Sequence, residues 1–151
     1  MHGLGDRRRR GLILRALFAI LVALSAAPAI AETSAHGLYM LHCSGCHGRD
    51  GAGSKVGRVP PFTGIVGHFA KEAEGRRYLV LVPGVASSGL SDSDTARVLN
   101  YVIGEWGEND ALRGYVPAEV RAIRASRVDD IVALRGKIVG DLARRGIRVA
   151  Y

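Results

Sequence analysis

Sulfur, aromatic rings and long apolar runs are all scarce in this 151-residue chain. It has two cysteines, two methionines and one tryptophan, and aromatics make up 6% of residues beside 20 glycines. A small domain of that composition builds only a thin core from its own side chains, so a bound apolar group would supply much of the missing surface. No apolar run comfortably spans a membrane. Ala16 to Ala27, broken only by Ser25, is too short, and Arg15 blocks its extension. Paired strands are lacking as well. Gly75 to Val82 alternates in character but has no second strand to pair with, which leaves a short helix ended by Pro83-Gly84. Nor does the formal charge of +7 argue for nucleic acid, because five arginines against one aspartate fall in the first 31 residues and leave +3 beyond them.

What is present converges on Cys43-Ser44-Gly45-Cys46-His47. The only two cysteines stand three apart with a histidine immediately after, the attachment pattern of a c-type haem. Two thiols about one helical turn apart can each form a thioether to a haem vinyl group, and the imidazole beyond them then lies under the iron. Cys43 and Cys46 are therefore the expected covalent anchors, and His47 the expected proximal iron ligand, of a single haem c. Gly48 and Asp50-Gly51-Ala52-Gly53 suit a tight exit from that turn. A thioredoxin-like dithiol would need a βαβ pattern that is missing here. A zinc knuckle would need a fourth ligand, which only His42 or His68 is placed to supply.

Residues 1–31 read as an export leader. Arg7 to Arg10 give a charged start, Ala16 to Ala27 the apolar stretch, and Ala29-Ile30-Ala31 a cleavage box, with cleavage expected after Ala31. An uncleaved anchor is the competing reading. Arg9-Arg10-Gly11-Leu12-Ile13 lacks the flanks of a twin-arginine signal, which favours the general secretory route to the periplasm. Export suits covalent haem chemistry and makes the cysteines thioether donors rather than a structural disulfide. The remaining residues suffice for one small domain, expected as a haem domain over 32–108 with a basic helical extension, 109–151, packed on or beside it. Residues 32–112 carry a net charge of −2, and residues 113–151 a net +5.

Helix signals frame the motif. Thr33 or Ser34 can cap a first helix in which Ala35, Leu38, Tyr39 and His42 recur about a turn apart. Gly48 to Val59 is a glycine-rich loop containing Lys55 and Arg58, stiffened by Pro60-Pro61-Phe62. Ser91 with Asp92 and Asp94 opens the clearest helix, whose stripe is Val98, Leu99, Val102, Ile103 and Trp106, with Gly107 as its stop. Leu38-Tyr39, the Cys43–His47 motif with Gly48, Pro60-Pro61-x-x-Gly64 and Leu90-Ser91-Asp92…Leu99-Asn100-Tyr101 together resemble a class I c-type cytochrome, over residues 35–106. The resemblance implies an all-α fold in which the first helix crosses the last, with Tyr39 and Tyr101 at the crossing. The run Gly75-Arg76-x-Tyr78-Leu79-Val80-x-Val82-Pro83-Gly84-Val85 is similar to small periplasmic cytochromes associated with methylamine utilisation and related quinoprotein dehydrogenases.

One departure from that family stands out. Class I cytochromes usually supply a methionine as second axial ligand shortly before the Leu-Ser-Asp helix, often just before a proline, and here that place reads Val82-Pro83. Met1 belongs to the leader and Met40 to the helix that carries the cysteines. The iron is then left with a second histidine, an unusual donor such as Lys71 or Tyr78, or no sixth ligand. Among the histidines, His36 and His42 share the helix of the motif, which makes His68 the candidate distal ligand. Two imidazoles would set a lower potential than a histidine–methionine pair.

The expected function is that of a periplasmic monohaem carrier of single electrons, passing them from a dehydrogenase of amines or alcohols towards the respiratory chain. The alternative is a haem enzyme or a gas or redox sensor with an open distal site; no distal arginine–histidine pair or general acid argues for catalysis. Pro117-Ala118-Glu119 opens one further helix and Asp129-Asp130 another, with Ile131, Leu134, Ile138 and Leu142 on one face and Gly146 as its stop. This extension reads either as a hairpin packed back with its arginines solvated, or as a cationic docking surface for an acidic partner or lipid headgroups. Membrane contact is expected only through that weak basic surface or an uncleaved leader.

Overall fold

The computed structural model describes residues 32–108, 112–126 and 128–149; the expected leader and its cleavage site lie outside them. By internal contacts the chain divides into two units, Met1–Glu32 and Thr33–Tyr151, and every element below belongs to the second. Among the described residues there are eight helices and no strand, only an isolated bridge between Ser54 and Val59. The fold is all-α. None of these helices is long and apolar enough to cross a membrane.

Helix α1 (Ala35–His42) starts where the Ser34 hydroxyl accepts the Gly37 N–H at 3.0 Å. It breaks at Cys43 and resumes as the single turn α2 (Ser44–His47), which Gly48 closes in a left-handed conformation, φ +77°. Three short helices follow the glycine-rich loop: α3 (Val66–Lys71), α4 (Ala73–Leu81) and α5 (Pro83–Ala86). Pro83 does not merely end the helix before it. Its missing N–H and fixed φ suit the first position of the next one, so Val82 is a hinge between two helices.

Helix α6 (Asp92–Trp106) is capped by Ser91, whose hydroxyl accepts the Asp94 N–H at 3.0 Å, with Asp92 and Asp94 placed well for the helix dipole. Its buried face is Val98, Leu99, Val102 and Ile103. Helix α1 packs across α6, and the Tyr39 and Tyr101 rings meet there at 5.6 Å. Tyr39 is wholly buried and its hydroxyl donates to the Gly48 carbonyl, tying the crossing to the end of the Cys–His turn.

Helix α7 (Pro117–Ala125) lies on α4 and α6, and α8 (Ile131–Arg144) on α4. Asp130 caps α8 through the Val132 and Ala133 amides, and Gly146 follows its end at φ +78°. Leu134, Ile138 and Leu142 bury their stripe around Phe69 as a second small core. The join to α4 is polar as well as apolar. Arg76, 5% exposed, donates twice to Glu119 (2.7 and 2.8 Å) and to the Ala70, Arg113 and Gly114 carbonyls, with the Tyr115 ring 3.9 Å from its guanidinium carbon.

Several arginines of the extension form ion pairs. Arg113 pairs with Glu119, Arg121 and Arg124 with Asp92, Arg144 with Asp141 and Arg145 with Glu72. Ion pairs within the chain thus answer part of the positive charge counted in the sequence, while Arg113, Arg121 and Arg144 stay largely exposed to solvent.

Candidate functional site

The helix-to-turn break at Cys43 builds the site. The Cys43 carbonyl accepts from both the Cys46 and His47 amides, at 3.2 and 3.0 Å, which winds the three side chains around one turn. Both cysteines are free thiols, Cys43 partly buried and Cys46 exposed, and burial pushes the Cys43 thiol up. A thiol held protonated and partly sheltered is poorly reactive toward oxidants.

His47 is gripped from two sides. Its ring stacks flat on Phe62, centroids 4.1 Å apart and planes at 16°, and Phe62 in turn stacks on Trp106 at 5.4 Å. Of its two ring nitrogens, Nδ1 is buried and makes no well-formed hydrogen bond among the described residues. Burial lowers the His47 pKa below its usual value, and the nearby Pro60 backbone opposes it. A neutral imidazole whose Nδ1 faces a carbonyl leaves its Nε2 lone pair for a metal. The orphaned Nδ1, the two free thiols and the apolar wall suit a haem bound through Cys43, Cys46 and His47.

The loop after the motif is folded to serve this wall. The Gly53 amide donates back to the His47 carbonyl at 2.8 Å, and Phe62 donates to the Gly51 carbonyl at 2.9 Å. Gly51 sits at φ +70° with the Trp106 indole against it; a Cβ there would come within 2.8 Å of Trp106 and 3.1 Å of Phe62. The site therefore requires glycine at this position, both for conformation and for space.

The other candidate ligands are spread over several elements. His36 packs on Tyr101 at 5.6 Å, and His42 is exposed at the end of α1. Met40 packs against the core. Tyr78 packs on Phe69 at 5.4 Å, with its hydroxyl under the influence of Arg135. His68 and Lys71 share a small recess with Gly64, Gly67, Gly107 and Glu108. No group of three or more His, Cys, Asp or Glu side chains suited to a metal ion occurs among the described residues. Sequence reasoning left the roles of Phe62 and Trp106 open; only the Pro-Pro-Phe rigidity and the end of an apolar stripe hinted at them.

No family model matches the chain. Two curated relatives do, both cytochromes c-552 of Thermus thermophilus. One is 31% identical over 133 aligned residues, covering 73% of this chain and 88% of the relative; the other is 32% identical over 119, covering 64% and 90%.

Proposed function

Because this chain belongs to the class I c-type cytochromes and carries haem c covalently, we propose that it is an exported monohaem electron carrier working in the periplasm. The haem, when bound, supplies a one-electron iron couple. Cys43 and Cys46 would hold it to the α2 turn, and His47 would offer Nε2 to the iron. Pro60 and Phe62 would limit rotation of that imidazole, and the packed rings of Phe62, Trp106 and Tyr39 would shelter it from water. The observation that carries the reading is the flat-stacked His47 with its buried Nδ1.

The donor proposed is a periplasmic dehydrogenase of amines or alcohols, and the acceptor a component of the respiratory chain. The similarity of the Gly75–Val85 run to cytochromes of methylamine utilisation supports this. Redox titration of the haem-loaded protein should show one reversible single-electron couple, and an amine dehydrogenase with its substrate should reduce it. Steady turnover of peroxide by the purified protein would instead make it an enzyme.

For the sixth position His68 is the proposed ligand once methionine is excluded. A second reading, an open position, is favoured by one observation. Helix α3 leaves directly from Phe62, with the Val66 amide on the Phe62 carbonyl at 2.8 Å, and Gly67 lies against the Gly107 backbone just past Trp106. His68 thus stands in the segment that continues the wall of His47, Phe62 and Trp106, which would leave it poorly placed as a second iron ligand. Paramagnetic resonance of the ferric protein separates the two: His68→Ala abolishes a low-spin bis-imidazole signal in the first case and changes nothing in the second, where carbon monoxide binds the reduced iron rapidly.

A further inference from the structure

Arg113, Arg121, Arg124, Arg144 and Arg145 of the extension pair with carboxylates, but among the described residues the cations beside the attachment turn do not. Among the described residues Arg49, Lys55 and Arg58 make no ion pair or side-chain hydrogen bond with another residue, and all three are exposed. The one carboxylate in their stretch, Asp50, accepts from the Ala52 amide at 3.1 Å instead of from an arginine. Residues 48–59 therefore present a net charge of +2 to solvent.

Their placement is fixed by the site. The Ser54–Val59 bridge, with 2.8 Å hydrogen bonds in both directions, makes the segment a small hairpin. One arm is anchored where Gly53 donates to the His47 carbonyl, and the other runs into Pro60, beside His47 Nδ1. Val56 at the tip is 99% exposed between Lys55 and Arg58, and Leu41, two residues before Cys43, is 74% exposed. Arg58 holds φ +52°, a left-handed conformation that glycine or asparagine adopts far more readily. A costly conformation kept by a cationic side chain with no internal partner points to a use outside the molecule.

We infer that the 49–58 hairpin, and not the basic extension, is the docking face for the redox partner, and that the partner meets it with an acidic surface around a small apolar contact. This deepens the carrier reading and rests on it. Long-range attraction would draw the acidic face in, and the Val56 tip would be desolvated on contact, beside the cysteine turn that holds the haem edge.

The test uses haem-loaded full protein and two probes of opposite charge. Reduced flavodoxin, an acidic protein, gives one electron from its flavin to the ferric haem. Tris(phenanthroline)cobalt(III), a cation, takes one electron from the ferrous haem. At low salt the Lys55→Glu/Arg58→Glu protein should accept electrons from flavodoxin about tenfold more slowly than the unaltered protein. It should be oxidised faster by the cobalt complex, and both differences should shrink as salt is raised. Arg144→Glu/Arg145→Glu should change either rate less than twofold. Equal flavodoxin rates for the hairpin variant and the unaltered protein, or a larger effect from the Arg144/Arg145 variant, overturns the assignment. So does salt-sensitive, hairpin-dependent binding to phosphatidylglycerol vesicles, which would make lipid the occupant. Failure of every protein to exchange electrons with either probe would count against the carrier reading itself.

Discussion

Arg76 is the side chain on which the union of α4 with the extension most depends, and its removal can be worked through in numbers. Its side chain is 6% exposed and that of Glu119 17%, so the pair is largely desolvated. Arg76→Met strips two charge-assisted bonds from Glu119 and orphans the Ala70, Arg113 and Gly114 carbonyls. Breaking a buried pair from one side costs about 3–5 kcal/mol. The lower end applies here, because Glu119 keeps Arg113 at 2.9 and 3.1 Å. For a unit of this size that is a fall in Tm on the order of 10 °C. Glu119→Gln should cost at least as much, since it leaves the buried guanidinium without a carboxylate. Arg76→Met/Glu119→Leu, which removes both charges, should lose less than the sum of the single changes. A pH dependence accompanies this. Hydrogen bonding from Arg76 holds the Glu119 carboxyl below its usual value. The stability it contributes is thus complete above the ordinary glutamate pKa and is lost as pH falls through the depressed one. Thermal unfolding of the haem-loaded proteins from neutral to acid pH measures both effects. If the two single variants melt within about 2 °C of the unaltered protein, the network does not clamp the extension.

Two further outcomes follow from the same structure. Tyr39 is buried and its pKa is pushed up to about 12, chiefly by desolvation, so its neutral form stabilises the fold. That share is present below the unfolded value near 10 and is lost as pH rises from there to about 12; Tyr39→Phe should flatten this alkaline decline while lowering stability at neutral pH by about 1–3 kcal/mol for the unsatisfied Gly48 carbonyl, read by denaturant titration. Asn100 holds Tyr115 at both ends, donating to its carbonyl at 2.9 Å and accepting its amide at 2.6 Å. Asn100→Leu should therefore destabilise by about 2 kcal/mol and speed amide exchange at Tyr115, whereas unchanged exchange would show that α7 alone holds that segment.

Local chemistry made much of this fold legible from sequence. Ser34, Ser91 and Asp130 cap helices where their types and positions say they should, because a cap needs only an oxygen and the next three residues. The Cys43–His47 turn was equally readable, and the Tyr39–Tyr101 contact followed from the resemblance to class I c-type cytochromes. What escaped was set by partners distant in the chain. Arg76 lies in a run of mixed character, and nothing nearby reveals a carboxylate 43 positions on. The extension's charge could be counted but not its ion pairs, since Arg145 finds Glu72 across 73 positions and Arg124 finds Asp92 across 32. Phe62 was legible as part of a rigid loop, but its stacking on His47 depends on Gly51 admitting Trp106, a contact between three segments.

The central claim, a single haem bonded to Cys43 and Cys46 with His47 beneath it, is tested most directly by the intact mass of protein matured in a haem-loading host and measured in denaturant after acid–acetone extraction. The account predicts the chain mass plus one haem in the unaltered protein, and no retained haem once both cysteines are alanine. A bare chain mass for the unaltered protein, or haem that leaves with the solvent, would contradict it.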